Sequence, residues 1–285
     1  MNRKHFTIRG TVLTIADGRL VVTILARILL GVSAFVAFGI ASMELGTTIK
    51  FSDLFYLSSE ATVRSSMLPA ILSTYARYSE QIYERKLCRS DIVNAGLGVT
   101  LADLDHQNPD RNFDAWLTSV QRAEKLAMHA LQCGPHVSDY WTRLAMIKLA
   151  GGENSAELAF LLGQAVALDP TNIAALRARF SLWGKLSGES LVAAKPSLES
   201  DLKVLLTYAG PKELRDIFPT TSVNMQPYVI AAFHRLSEDR KAQLTRWHAL
   251  PIDKWNAQAD VKDSKPDHSP SAAPFATDKK MSRQI

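Results

Sequence analysis

Cysteine is scarce, with two residues in a chain of 285. That excludes a disulfide-dense scaffold and a four-cysteine zinc site. Glycine and proline number only 14 and 12, too few for a repetitive fibrous protein or an all-β chain full of tight turns. From residue 51 onward there are no runs of alternating β-branched residues, so period-2 strands are not expected. Catalytic signatures are lacking too. There is no H-E-x-x-H, no G-x-S-x-G elbow, no Walker loop and no dinucleotide fingerprint, and Gly96-Leu97-Gly98 alone carries no weight. No cofactor is expected, and the chain does not read as an enzyme.

What the chain does have is apolar content. Hydrophobic residues make up 47% and charged residues 21%, enough to build a core and to exclude wholesale disorder. The formal charge of +5 is concentrated near the start. Arg3, Lys4, Arg9, Arg19 and Arg27 face a single Asp17 within residues 1–27, so five basic against one acidic residue account for +4 of the +5. The rest is almost neutral and shows no basic stripe with interleaved aromatics, so nucleic acid is not an expected partner.

The basic cluster borders an apolar run, Leu20 to Met43, in which Arg27 is the one charge. About 20 apolar residues in a helix cross the hydrocarbon core of a bilayer. Arg27 lies toward the amino-terminal end, where a long side chain can snorkel to the interface. The preferred reading is a retained single-pass anchor over 20–43. A cleaved signal peptide, with small residues near Ala37–Ser42, and a buried core helix are the alternatives. The positive-inside rule then predicts a cytoplasmic leader, 1–19, with the remaining chain across the membrane.

Beyond the anchor, apolar spacing predicts an all-α domain over 51–252. Helices are expected from Pro69, over 91–105, and near 114–132, 137–150, 154–168, 172–185, 197–208, 225–235 and 238–249. Pro135, Pro170, Gly210-Pro211 and Phe218-Pro219 mark stops. The tail, 257–285, is rich in Asp, Lys, Ser, Pro and Ala with little apolar content, and disorder is expected there.

Two segments align at a spacing of 35 residues. Ala130-Leu131-Gln132-Cys133-Gly134-Pro135 matches Ala165-Val166-Ala167-Leu168-Asp169-Pro170, and Tyr140-Trp141 matches Ala175-Leu176. This pattern, over 113–185, resembles the tetratricopeptide (TPR) repeat, a helix-turn-helix unit of about 34 residues. Met146 departs from it, standing where the family has a small residue. The layout of leader, anchor and TPR-like helices also resembles the membrane-anchored bacterial proteins that accompany exopolysaccharide assembly and export, the VpsP-like group. That resemblance implies an inner-membrane protein with a periplasmic domain. It implies an accessory or scaffolding role with envelope or membrane protein partners and no catalysis of its own. A TPR chaperone of a secretion or cytochrome-maturation apparatus, and a glycan-acting enzyme or carbohydrate-binding module, are the alternatives.

The candidate site residues are few. Cys88 and Cys133 can pair if the domain lies outside the cytoplasm, or can remain two thiols packed as small hydrophobes. His129, Cys133 and His136 form one conceivable metal set, and Asp103, Asp105 and His106 another. Helix-end polarity explains both more simply, so no metal is expected. Trp116, Trp141 and Trp183 read chiefly as core residues. The sharper expectation is a partner-binding face using Trp141 with Arg143, Arg177 or Arg179. Arg177 and Arg179, two apart, do not share a helix face.

Overall fold

The computed structural model describes residues 15–63, 69–218, 221–252 and 254–255. Among these the chain is helical, with no strand. The tail over 257–285 and most of the leader lie outside the described residues. The region expected as one domain divides into two compact units, Met1–Gly134 and Pro135–Ile285.

The first unit opens with α1 (Ile15–Lys50), followed by α2 (Ser52–Val63), α3 (Pro69–Tyr78), α4 (Glu80–Glu84), α5 (Ser90–His106) and α6 (Phe113–Cys133). The stretch Val22–Lys50 is long and apolar enough to cross a membrane. None of its most apolar window is buried in the protein, so it is no core helix. At 1.5 Å per residue the 36 residues of α1 extend about 54 Å, well beyond a hydrocarbon core of about 30 Å. The helix therefore outruns the expected 20–43 span, and its last turns join the folded part.

Side-chain contacts hold that junction. Arg89 donates to Glu44 at 3.0 Å and to Asp91 at 2.7 Å. The Tyr78 hydroxyl donates to the Lys50 carbonyl at 2.8 Å, and the Tyr75 hydroxyl to Asp53 at 2.9 Å. Phe51, 1% exposed, sits against the Tyr78 ring. The hydrogen bonds from Arg89 hold the Asp91 carboxyl below the usual carboxylate range, against the opposing effect of its partial burial. A depressed carboxyl pKa contributes stability that is present at neutral pH and lost as pH falls through the depressed value. Wild type should therefore melt higher than Asp91→Asn at neutral pH. The gap should close only in acid below the ordinary carboxylate range, as followed by circular dichroism melts. A gap that is constant with pH would remove the ion pair as its cause.

The core of this unit is α5. It buries Ile92, Val93, Leu97, Val99 and Leu104, and packs against α2, α3 and α6. Glycine permits the closest approach. A Cβ on Gly98 would meet Ser58 Oγ of α2 at 2.5 Å, and one on Gly96 would run into Ile82 of α4. Gly98→Val should cost roughly 1–3 kcal/mol by overpacking this crossing, seen as a lower urea midpoint. A midpoint equal to wild type would mean that α2 can move away freely. Lys86 has φ of +54° at the end of α4. The Leu87 N–H reaches the Ile82 carbonyl and the Lys86 N–H the Tyr83 carbonyl, a Schellman ending with lysine at the left-handed position where glycine is usual.

The second unit holds α7 (Ser138–Gly151), α8 (Ser155–Leu168), α9 (Ile173–Trp183), α10 (Gly188–Ala193), α11 (Lys195–Tyr208), α12 (Pro211–Ile217), α13 (Gln226–His234) and α14 (Glu238–Arg246). Asparagine caps set two of the starts. Asn154 accepts from the Glu157 N–H, and Asn172 from the Ala174 and Ala175 N–H groups. Proline occupies the first turn of α11, α12 and α13, where its missing N–H costs nothing. α7 and α8 form a helical hairpin closed by Gly152 at φ of +145°, and α8 and α11 are the unit's centre. Leu158, Leu162, Ala165, Leu198, Leu202 and Leu206 are all fully buried.

A charged triad lies in that core. Arg179 of α9, 0% exposed, donates to Asp201 of α11 through Nε at 2.8 Å and Nη2 at 2.9 Å. The Trp183 indole donates to the same carboxylate at 3.0 Å. Arg179 Nη1 has no partner.

Candidate functional site

Arg179 does not belong to a partner-binding face. It is wholly buried and serves the core, which corrects the expectation for that residue. Arg177 is exposed and pairs with Glu213 of α12 at 2.6 Å. Arg177 thus stays at the surface on α9, while Trp141 lies on α7.

Trp141 and Arg143 are both half-buried on α7. The Trp141 indole N–H donates to the Pro135 carbonyl at 2.8 Å, which fixes the ring, and Arg143 is tied to Asp139 at 2.6 Å. Against the Trp141 ring lies Phe160 of α8, edge to face at 5.9 Å and 56% exposed. This aromatic pair spans the α7–α8 hairpin. Phe160 was missed in the sequence because it falls on the outward side of the most apolar short helix, where one more apolar residue carries no signal. Large exposed apolar rings held in place are the usual anchors of protein interfaces. Trp183 is core, and Trp116 sits half-buried against Phe113.

The metal-ligand candidates separate. Asp103 is 1% exposed and satisfied by Ser119, Gln107 and the Arg122 guanidinium, which also binds Glu80 at 2.7 Å. Asp105 and His106 are exposed, and His106 Nδ1 contacts the Ala102 carbonyl of its own helix. These three do not converge. Glu153, at the start of α8, accepts from the Ser187 N–H at 2.8 Å, and Glu157 pairs with Lys148 at 3.0 Å.

Cys88 and Cys133 are joined as a disulfide, with Cα atoms 5.2 Å apart. It ties the loop after α4 to the end of α6, both within the first unit. α6 carries the first half of the aligned segments, so the 35-residue pattern straddles the division at Gly134. His129, one turn before Cys133 on α6, joins the two sulfurs in a cluster whose ligand atoms lie within 4.8 Å of one another. His136 is not part of it. Beside this cluster is a cleft of about 720 Å³, lined also by Tyr83, Lys86, Lys125 and Met128.

Compared with known proteins, the chain matches no family model, no curated protein and no solved structure.

Proposed function

We propose that the chain is a single-pass, membrane-anchored scaffold that acts by binding other proteins in polysaccharide or envelope assembly. Its leader, residues 1–19, faces the cytoplasm, and its helical units lie in the periplasm of a bacterial cell. The observation that carries the reading is α1, apolar over a membrane-spanning length and exposed along it, continuing without a break into folded helices. The basic cluster over 1–27 supports the orientation. The fixed pair Trp141 and Phe160 supports partner binding through the α7–α8 hairpin. The TPR-like assignment of that hairpin rests on the residues around Ala165 and Pro170, where Ala165 is fully buried as a close helix contact requires. The VpsP-like assignment rests on layout.

The test is protease accessibility of a carboxy-terminally tagged chain in intact spheroplasts, with lysed cells as control. Digestion from outside is the expected result. Protection until lysis would place the helical units in the cytoplasm and end the periplasmic reading. A mature chain that lacks residues 1–43 would replace the anchor by a cleaved signal. Crosslinking from position 160 in cells should then capture a membrane protein, and the capture should fall at least about tenfold in Trp141→Ala, the loss typical of an interface anchor.

A further inference from the structure

The Cys88–Cys133 bond is asymmetric in a way that stability alone does not require. Cys88 is exposed, Cys133 is half-buried, and His129 beside Cys133 is 8% exposed. His129 Nε2 lies 2.8 Å from the Leu87 carbonyl and 3.5 Å from Cys133 Sγ. A carbonyl only accepts, so Nε2 carries the proton. The Nε2–H is given to Leu87, and Cys133 Sγ, 3.5 Å from the same nitrogen, is placed to share it, while Cys88 is the sulfur exposed to solvent in a cleft that all three residues line. On the cleft wall Lys86 and Lys125 outnumber the single carboxylate, Glu124, which favours an anionic visitor.

We propose that Cys88–Cys133 is a thiol–disulfide exchange site for a dithiol-bearing partner, with Cys88 the sulfur attacked and Cys133 the sulfur released. The partner's thiolate enters from the cleft and bonds to Cys88 Sγ. The Cys88–Cys133 bond breaks, and its electron pair stays on Cys133 as a thiolate, held by the His129 N–H until water supplies a proton. The partner's second thiolate then attacks its own bonded sulfur and frees Cys88. Two electrons pass from the dithiol to the protein, leaving an oxidised partner and two cysteine thiols. Run backward, the same steps install the bond from a partner disulfide, with Cys133 as the resolving thiolate. The competing chemistry is a metal site of two thiolates and His129. It would require Nε2 to give up the proton that it shares with Leu87. This inference does not depend on which side of the membrane the helices occupy.

The test uses the full chain in detergent. Brief treatment with reduced glutathione, followed by alkylation and peptide mapping, should place glutathione on Cys88 and the alkyl group on Cys133. Glutathione chiefly on Cys133, or none on either until the chain is denatured, would overturn the proposal. In a second measurement, His129→Phe keeps the bulk and removes the N–H. Reduction by dithiothreitol should slow about five- to tenfold in the native chain and match wild type in denaturing urea, since the loss is that of one hydrogen bond to a leaving thiolate. A merely structural histidine predicts the opposite sign, because loosened packing exposes the bond and speeds reduction. Unchanged or faster reduction therefore overturns the donor role. One equivalent of zinc that protects both thiols of the reduced wild type, and fails to protect them in His129→Phe, would replace the exchange site by a metal site. If the variant does not fold, the glutathione map on wild type still decides.

Discussion

Asp201→Ala should destabilise the second unit by about 3–5 kcal/mol, a large share of the roughly 5–15 kcal/mol that holds a domain together. The carboxylate accepts three donors: two from the Arg179 guanidinium and one from the Trp183 indole. Truncation removes all three partners at once and leaves an uncompensated cation in the core. Arg179 is fully enclosed and Nη1 already lacks a partner, so loss of the acceptor of Nε and Nη2 strips the guanidinium of its hydrogen bonds to Asp201. Asp201→Asn should be nearly as costly, because its amide turns a donor toward donors. The double change Arg179→Met with Asp201→Leu should recover most of the loss, since an apolar replacement of a buried pair is often close to neutral. Arg177→Ala is the contrast. It breaks a surface pair and should cost under about 1 kcal/mol. Hydrogen exchange at α9 and α11 amides reads the effect directly, without assuming that the whole chain unfolds in one step. An Asp201→Ala chain protected to within about 1 kcal/mol of wild type would mean that water or backbone groups solvate Arg179. The core would then be looser than drawn.

The inward place of Arg179 was legible in the sequence. Leu176, Phe180 and Trp183 step by four and three along α9, and residue 179 falls three after the first and four before the last. Spacing thus put Arg179 on the buried stripe and Arg177 off it. The same spacing turns the two arginines to different sides, whereas charge type alone suggests a partner-binding role for both. The partner that makes burial tolerable, Asp201, lies 22 residues away on α11, and no local signal links them. Asp103 follows the same logic. It sits on the α5 stripe with Val99 and Thr100, and its neutralising partner, Arg122, comes from α6. The helices α3, α5 to α9, α11, α13 and α14, each nine residues or longer, all lie near their expected places. The segments α2, α10 and α12 are not expected from the sequence, nor is α4 as a helix separate from the one that opens at Pro69 and whose spacing runs through Ile82. Three of them are five to seven residues long, less than two turns, so periodicity has nothing to repeat. α2 follows directly on the apolar helix, whose signal dominates any window that includes both. The division at Gly134 was hidden for a different reason. Gly134-Pro135 reads as one helix stop among several, and only the tertiary contacts show that it separates two units.

Breaking the Cys88–Cys133 bond should cost the first unit about 4 kcal/mol, the loop-closure value for a separation of 45 residues. The bond's position makes this large. The loop it closes contains α5 and nearly all of α6, and α5 is the helix on which α2, α3 and α6 converge. Without the bond, the unfolded chain regains the freedom of that whole segment. The native packing of α5 and α6 rests on buried side chains, Ile92, Leu97, Leu104 and Leu126 among them, and not on the bond alone. The expected result is therefore a reduced or Cys88→Ser, Cys133→Ser chain with unchanged helix content in water. Its exchange-competent opening at α5 and α6 amides should come about 4 kcal/mol closer to the native state. Loss of helix content in water would show that the bond is needed for the fold itself. A shift under about 1 kcal/mol would show that α4 and α6 remain associated in the unfolded ensemble, so that the bond constrains little there. This equilibrium measurement is independent of how fast the bond exchanges. His129→Phe should change the rate of reduction, and its own effect on opening should be the smaller cost of one lost hydrogen bond to Leu87, about 1 kcal/mol.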